Sequence, residues 1–275
     1  MPSVKGDFDY LGSALLALGL GALFLSLNQQ VHHKIYFFIA ALSLLGIFIF
    51  KELKTKHPII EVRLFKSLVL SSGMLARLLF TVINGSCFVL IPFFARFGLE
   101  LSAVQAGFIM LSFSLGQFLC GFNSGYFYKK IGNNAMAYGG FILSLIGVLI
   151  LSSINYDPNS LLVAEMKIIL CLLFVGLGMG IFVPSNNGIS FHSVPTIYVG
   201  MTSGCLWSMH YLGLAIGALL SSLLINHVTH TEQTSAYFSI INTAADIYLI
   251  ISITGVLICI ARNIVIKKWY NEPEA

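Results

Sequence analysis

Charge is what this 275-residue chain has least of: 9% of its residues are charged and 57% are hydrophobic, and its mean hydropathy is +0.89. That balance excludes a soluble globular domain, whose surface needs far more polar residues. No stretch is long and polar enough to form a separate soluble domain. The net charge of +4 is small and sits in particular loops, which argues for membrane orientation and against nucleic-acid binding. Cysteine is also scarce. Cys87, Cys120, Cys171, Cys205 and Cys259 all fall in apolar runs, without CxxC spacing and without a histidine at ligand spacing. They read as small buried hydrophobes, not as a disulfide framework or metal site. A Walker loop, HExxH, GxSxG and clustered carboxylates at catalytic spacing are missing too. The chain is therefore not expected to be an enzyme, to hydrolyse nucleotides itself or to hold a cofactor.

What remains is about eight apolar stretches joined by short loops. A bilayer core near 30 Å thick needs about 20 apolar residues of helix per crossing. The runs are continuous instead of alternating, which selects helices over a β-barrel. The expected fold is an all-α multi-pass membrane protein, with membrane lipid as its solvent. Helices are expected at 9–28, 35–51, 68–95, 104–127, 135–154, 165–185, 199–226 and 246–266. The first run is too long for a signal-peptide core, follows Asp7 and Asp9, and lacks a clean cleavage site; it reads as a retained span. The segment His57–Lys66 (HPIIEVRLFK) is too short and too charged to span, and reads as an interfacial connector. The expected organisation is a two-helix hairpin over 1–56, the connector over 57–67, and a six-helix block over 68–275.

The basic residues decide orientation. Lys5, Lys51, Lys54, Lys56, Arg63, Lys66, Lys129, Lys130, Arg262, Lys267 and Lys268 fall on one face of an alternating chain, against Lys34, Arg96 and Lys167 on the other. The positive-inside rule then places both termini in the cytoplasm.

Ionisable and polar groups inside spans are costly, and so become functional candidates. Arg77 sits about ten residues into the third helix; it either snorkels to the headgroups or points into the bundle. Asn84, seven residues on, shares its nominal face, and Pro92 suggests a kink. On the fourth helix Gly107, Gly116, Gly121 and Gly125 read as a packing face, with Gln117 as the best cavity-facing residue. Lys129, Lys130 and Gly132 form a tight turn in which Gly132 punctuates the helix. In GLGMGIFVPSNN, Pro184 is expected to break the sixth helix while Asn186 and Asn187 satisfy the freed backbone. Such a break marks either a gate or a frayed helix end. His210 lies deep in the seventh helix, as a titratable or a structural residue, and Gly213 and Gly217 form a GxxxG packing face. The candidate pathway residues are thus Arg77, Asn84, Gln117 and His210, with Gly125, Lys129, Lys130, Gly132 and Pro184 as gating or turn candidates.

The segments FDYLGSALLALGLGALFLSLNQ, HPIIEVRLFK, SAVQAGFIMLSFSLGQFLCGFNSGYFYKKIG, GLGMGIFVPSNN and TSGCLWSMHYLGLAIG resemble, in order, the second half of the major facilitator superfamily. The branch they resemble is the fourteen-helix drug:proton antiporters (EmrB/QacA type), entered at the central helix pair. Two places depart from that pattern: the usual Asp-Arg pair of the cytoplasmic turn reads Lys129 and Lys130, and the usual Arg-Gln reads His210 and Tyr211. The resemblance implies the C-terminal six-helix half of a multidrug efflux transporter in the cytoplasmic (inner) membrane. It also implies alternating access, a proton gradient as energy source, and small hydrophobic or amphipathic substrates. Binding sites in this superfamily lie between two six-helix halves, so a separate N-terminal half is the implied partner. The alternative is a non-transporting remnant or a membrane assembly or regulatory partner.

Overall fold

In lipid, every backbone N–H and C=O must be satisfied within the protein, and a helix does this locally. The computed structural model describes residues 10–27, 33–52, 62–157, 160–226 and 234–271. Among them every long element is an α-helix: α1 (Tyr10–Leu27), α2 (Lys34–Glu52), α3 (Leu68–Phe97), α4 (Ala103–Phe122), α5 (Ser124–Ser152), α6 (Leu161–His192), α7 (Val199–Asn226) and α8 (Thr234–Asn271). Seven are long and apolar enough to cross a membrane; the eighth, α1, has a shorter apolar run at Leu11–Leu23. Contacts divide the chain into residues 1–67 and 68–275.

In the first unit α1 and α2 pack together. Gly19 makes this close, since a Cβ there would lie 2.8 Å from Leu45 Cδ2. Val62–Lys66 forms a short 3-10 turn; residues 57–61 of the connector lie outside the described residues, as do Lys5, Lys54 and Lys56.

The second unit is a six-helix bundle with α3 buried along most of its length against α4, α6, α7 and α8. Its apolar core is centred on Phe80, which stacks on Phe182 of α6 at 4.8 Å and meets the edge of Phe141 of α5 at 4.9 Å. Gly255 of α8 makes room for that ring, because a Cβ would fall 2.5 Å from Phe141 Cδ1. Glycines set the other approaches. The predicted GxxxG face is a packing face: a Cβ on Gly213 would lie 2.6 Å from Leu78 O, and one on Gly217 2.6 Å from Ser86 N, both on α3. A Cβ on Gly180 would lie 2.6 Å from Gln117 O of α4, and one on Gly140 of α5 2.7 Å from Gly178 O of α6. Without side chains there, backbones approach closely enough for dispersion and small polar contacts to hold helices that lipid does not push together. Of the glycines expected to form a packing face on the fourth helix only Gly116 is tightly packed; Gly107 faces open space, as does Gly125, which falls in α5.

Several boundaries differ from the sequence expectation, each for a physical reason. The fourth helix stops at Phe122, with Asn123 as its cap, and Ser124–Ser152 is two helical pieces that meet at a kink at Gly132, so the longer piece starts close to the expected 135. Gly132 has φ 76° and ψ 163°, so it does punctuate the helix, in the left-handed region that glycine tolerates. Pro184 does not break α6, which runs on to His192. One missing backbone bond is tolerated where neighbouring helices hold the segment. The last helix begins at Thr234, twelve residues before the expected 246. Asp246 is a single exposed carboxylate on a helix whose other side buries Ile241, Ala245 and Tyr248.

Candidate functional site

Burying a guanidinium costs several kcal/mol unless partners repay it, so buried arginines locate the unusual places in this bundle. Among the described residues the only buried charged side chains are Arg77 and Arg262, 1% and 3% exposed. Both lie in the 68–275 unit.

Arg77 is turned into the bundle and does not snorkel. Its guanidinium carbon lies 5.4 Å from the ring centre of Trp207 on α7, a cation–π contact. Trp207 in turn meets His210 edge-on at 5.2 Å and stacks with Tyr211 at 5.9 Å. Arg77 Nε and Nη1 and His210 Nδ1 are buried with no hydrogen-bond partner. Trp207 and Tyr211 are exposed while His210 is half-buried. The arrangement is a cation beneath an open aromatic surface. It is positioned by the α3–α7 glycine seam, which brings the two backbones together one to two turns further along.

Arg262 was counted among the basic residues that set the cytoplasmic face, and the structure takes it out of that count. It is inside α8, where its Nη1 donates to Asn186 Oδ1 of α6 at 2.6 Å. Asn186 Nδ2 donates to Gly73 O of α3 at 3.1 Å. Asn186 thus ties three helices together and does not satisfy the backbone near Pro184. Gly73 leaves room for this junction: a Cβ would lie 2.7 Å from Ser190 Oγ and 3.1 Å from Arg262 Nη1, so both side chains would have to shift. Arg262 Nε and Nη2 and Ser190 Oγ keep no partner. A third polar junction joins α3, α7 and α8. Tyr248 Oη donates to Ser86 Oγ, which also meets Ser221 Oγ, and Ser221 Oγ donates to Ser86 O at 2.9 Å.

The other sequence candidates scatter. Asn84 is buried and bonds Phe80 O at 3.2 Å and Met179 Sδ at 3.4 Å. It therefore faces α6 while Arg77 faces α7, because both neighbours pack on that side of α3. Gln117 is exposed on α4, where its backbone packs against Gly176 and Gly180 of α6, away from the buried Arg77 and Asn84. Gly125, Lys129, Lys130 and Pro184 are exposed, and Gly132 is the turn residue already described. All five cysteines are free and buried. The sequence reading missed Arg262, Trp207 and the Ser86–Ser221–Tyr248 junction. A signal for Arg262 was present: Ser252, Gly255, Cys259 and Arg262 recur at helical spacing, and that stripe is the buried one.

The Major Facilitator Superfamily profile matches residues 8–218. The chain is 27% identical over 246 residues to the riboflavin transporter RibZ of Clostridioides difficile (strain 630), covering 84% of this chain and 51% of that protein. It is 27% identical over 187 residues to the multidrug transporter protein MdtP of Bacillus subtilis (strain 168), with 65% and 33% covered. Against the quinolone resistance protein NorB of Staphylococcus aureus (strain MSSA476) the identity is 24% over 269 residues, with 93% and 52% covered. The chain thus spans about half the length of the first curated relatives it matches. A profile match over most of the chain, on an all-helical bundle of spanning length, shows that this protein belongs to the Major Facilitator Superfamily.

Proposed function

We propose that residues 68–275 form the C-terminal half of a fourteen-helix, proton-coupled efflux carrier in the cytoplasmic membrane. In this reading it exports small hydrophobic or amphipathic compounds by alternating access. The observation that carries it is Arg77: a cation buried in a span, with unpaired N–H groups beneath the exposed Trp207 and Tyr211. Intramembrane ionisable residues mark substrate and ion pathways. Two further features support the reading. Relatives named as transporters and resistance proteins are about twice as long as the matched region. In addition, α4 and α7 each bury one narrow stripe, Ala106, Ile109, Phe113, Gly116 and Cys120 on α4 and Thr202, Cys205, Leu206, Gly213, Gly217 and Ser221 on α7. Their open sides are where a second six-helix half, in the same or a separate polypeptide, would close a midplane cavity.

The test is dye efflux. The chain alone, purified into liposomes, gives no proton-driven dye movement, whereas the chain together with a six-helix N-terminal half gives movement that a proton uncoupler abolishes. Uncoupler-sensitive efflux by the chain alone refutes the half-carrier reading. Inertness with every such half favours a regulatory or assembly role.

A further inference from the structure

Resting on the transporter reading, we infer that this half selects for aromatic anions: a planar compound bearing a carboxylate stacks on Trp207 and is held by Arg77. Three observations converge. First, among the described residues both buried charges in the unit are cationic, Arg77 and Arg262. The acids Glu100, Asp157 and Asp246 are exposed and Glu165 is half-buried, so none of them is among the buried groups facing Arg77. Second, Arg77 Nε and Nη1 are buried donors with no acceptor. Such groups are costly while empty, and a charged acceptor repays most of that cost. Third, the cover over Arg77 is aromatic. Trp207 lies across the guanidinium at 5.4 Å, with Tyr211 stacked at 5.9 Å and His210 edge-on at 5.2 Å.

The chemistry follows from the geometry. Trp207 is 46% exposed and Arg77 only 1%, so a ligand meets the indole first. The ring of the ligand stacks there, and rotation of Trp207 uncovers the guanidinium for the carboxylate. An aromatic cation finds the same stacking surface but is repelled by Arg77. A neutral amide stacks but leaves the guanidinium without a charged partner. A charge-assisted hydrogen bond contributes about 1.5–3 kcal/mol, so the carboxylate should bind about tenfold or more tightly than either analogue.

The chain has two tryptophans, Trp207 and Trp269, which permits a direct readout. The Trp269→Phe variant of the full chain, in nanodiscs of zwitterionic lipid, reports Trp207 emission alone. It is titrated with 4-iodobenzoate, 4-iodobenzamide and 4-iodophenyltrimethylammonium, three heavy-atom quenchers differing only in charge at one end. The expected result is saturable quenching by the benzoate at tenfold or more lower concentration than by the other two. Arg77→Gln should abolish that preference and Arg77→Lys should retain part of it. Equal or tighter binding of the ammonium compound overturns the inference, as does a benzoate preference that survives Arg77→Gln, or a lack of saturable benzoate quenching. If Arg77→Gln does not fold, the three-ligand comparison on the Trp269→Phe chain still decides. Failure here is separable from failure of the transporter reading. A completed carrier that exports dye while showing no carboxylate preference refutes only the anion selectivity. A carboxylate preference without export refutes the transport.

Discussion

The α3–α7 seam gives the most quantitative expectation. A Cβ added at Gly217 would sit 2.6 Å from Ser86 N, whereas ordinary contact begins at 3.4 Å. The atoms met are backbone and cannot rotate away, and Val82 O lies closer still, so α7 must move off α3 by at least about 0.8 Å. Displacement of that size lengthens the 2.9 Å bond from Ser221 Oγ to Ser86 O to about 3.7 Å, beyond hydrogen-bonding range. Overpacking of this kind costs about 1–3 kcal/mol, and a lost interhelical bond in a membrane protein adds about 0.6 kcal/mol. Gly217→Ala should therefore lose about 1.6–3.6 kcal/mol, or about 3–14 °C of midpoint for a unit of this size. The control is Gly107→Ala on α4, where nothing lies within 4 Å. Alanine is the better helix former by up to about 1 kcal/mol, so this change should be neutral or stabilising. All five cysteines are buried, so a thiol-reactive fluorogenic maleimide reports unfolding of the purified protein without added probes. A midpoint that falls for Gly107→Ala as much as for Gly217→Ala refutes the seam as the cause.

Further expectations rest on the polar junctions. Tyr248→Phe removes the hydroxyl that donates to Ser86 Oγ while leaving the ring packed; the melting midpoint should fall by an amount equivalent to about 0.5–1.5 kcal/mol. Arg262→Gln strips the buried Asn186 Oδ1 of its partner and should cost about 1–3 kcal/mol. A double-mutant cycle with Asn186→Ala should show coupling above about 0.5 kcal/mol, and strict additivity would disconnect the two. In the completed transporter, Arg77→Ala should lower transport more than Lys66→Ala, since Arg77 is buried and Lys66 exposed; equal, small effects would leave Arg77 a packing residue only.

Fold class was legible because it depends on composition summed over long windows. Eight apolar runs, too continuous for strands, admit only helices in lipid. The GxxxG of Gly213 and Gly217 was legible for a similar reason: small residues at helical spacing have one common use. The site was less legible. Arg77 announced itself by charge, yet whether it snorkels or turns inward depends on Trp207, 130 residues away in sequence. Asn84 and Arg77 share a nominal face, but α6 and α7 divide that face between them. Pro184 shows the opposite failure. Local propensity predicts a break, and the packing of α6 against α4 and α5 overrides it.

Arg262 tests the orientation argument itself, because a residue counted among the charges of the cytoplasmic face is only 3% exposed, inside α8. Without it, the favoured face still carries Lys5, Lys51, Lys54, Lys56, Arg63, Lys66, Lys129, Lys130, Lys267 and Lys268, against Lys34, Arg96 and Lys167. Ten against three leaves the bias intact. The rule counts cations that must stay on the side of synthesis, and a guanidinium bonded to Asn186 inside the bundle is not one of them. Lys129 and Lys130 are exposed at the start of α5 and Asp157 is exposed beyond its end, so one span separates two accessible points. With the native cysteines buried, single substitutions Lys130→Cys and Asp157→Cys become the reactive thiols. A membrane-impermeant maleimide applied to intact cells should label only Asp157→Cys, and applied to inside-out vesicles only Lys130→Cys. The reverse pattern would invert the proposed topology. Labelling of both positions from one side would show that α5 does not cross the membrane.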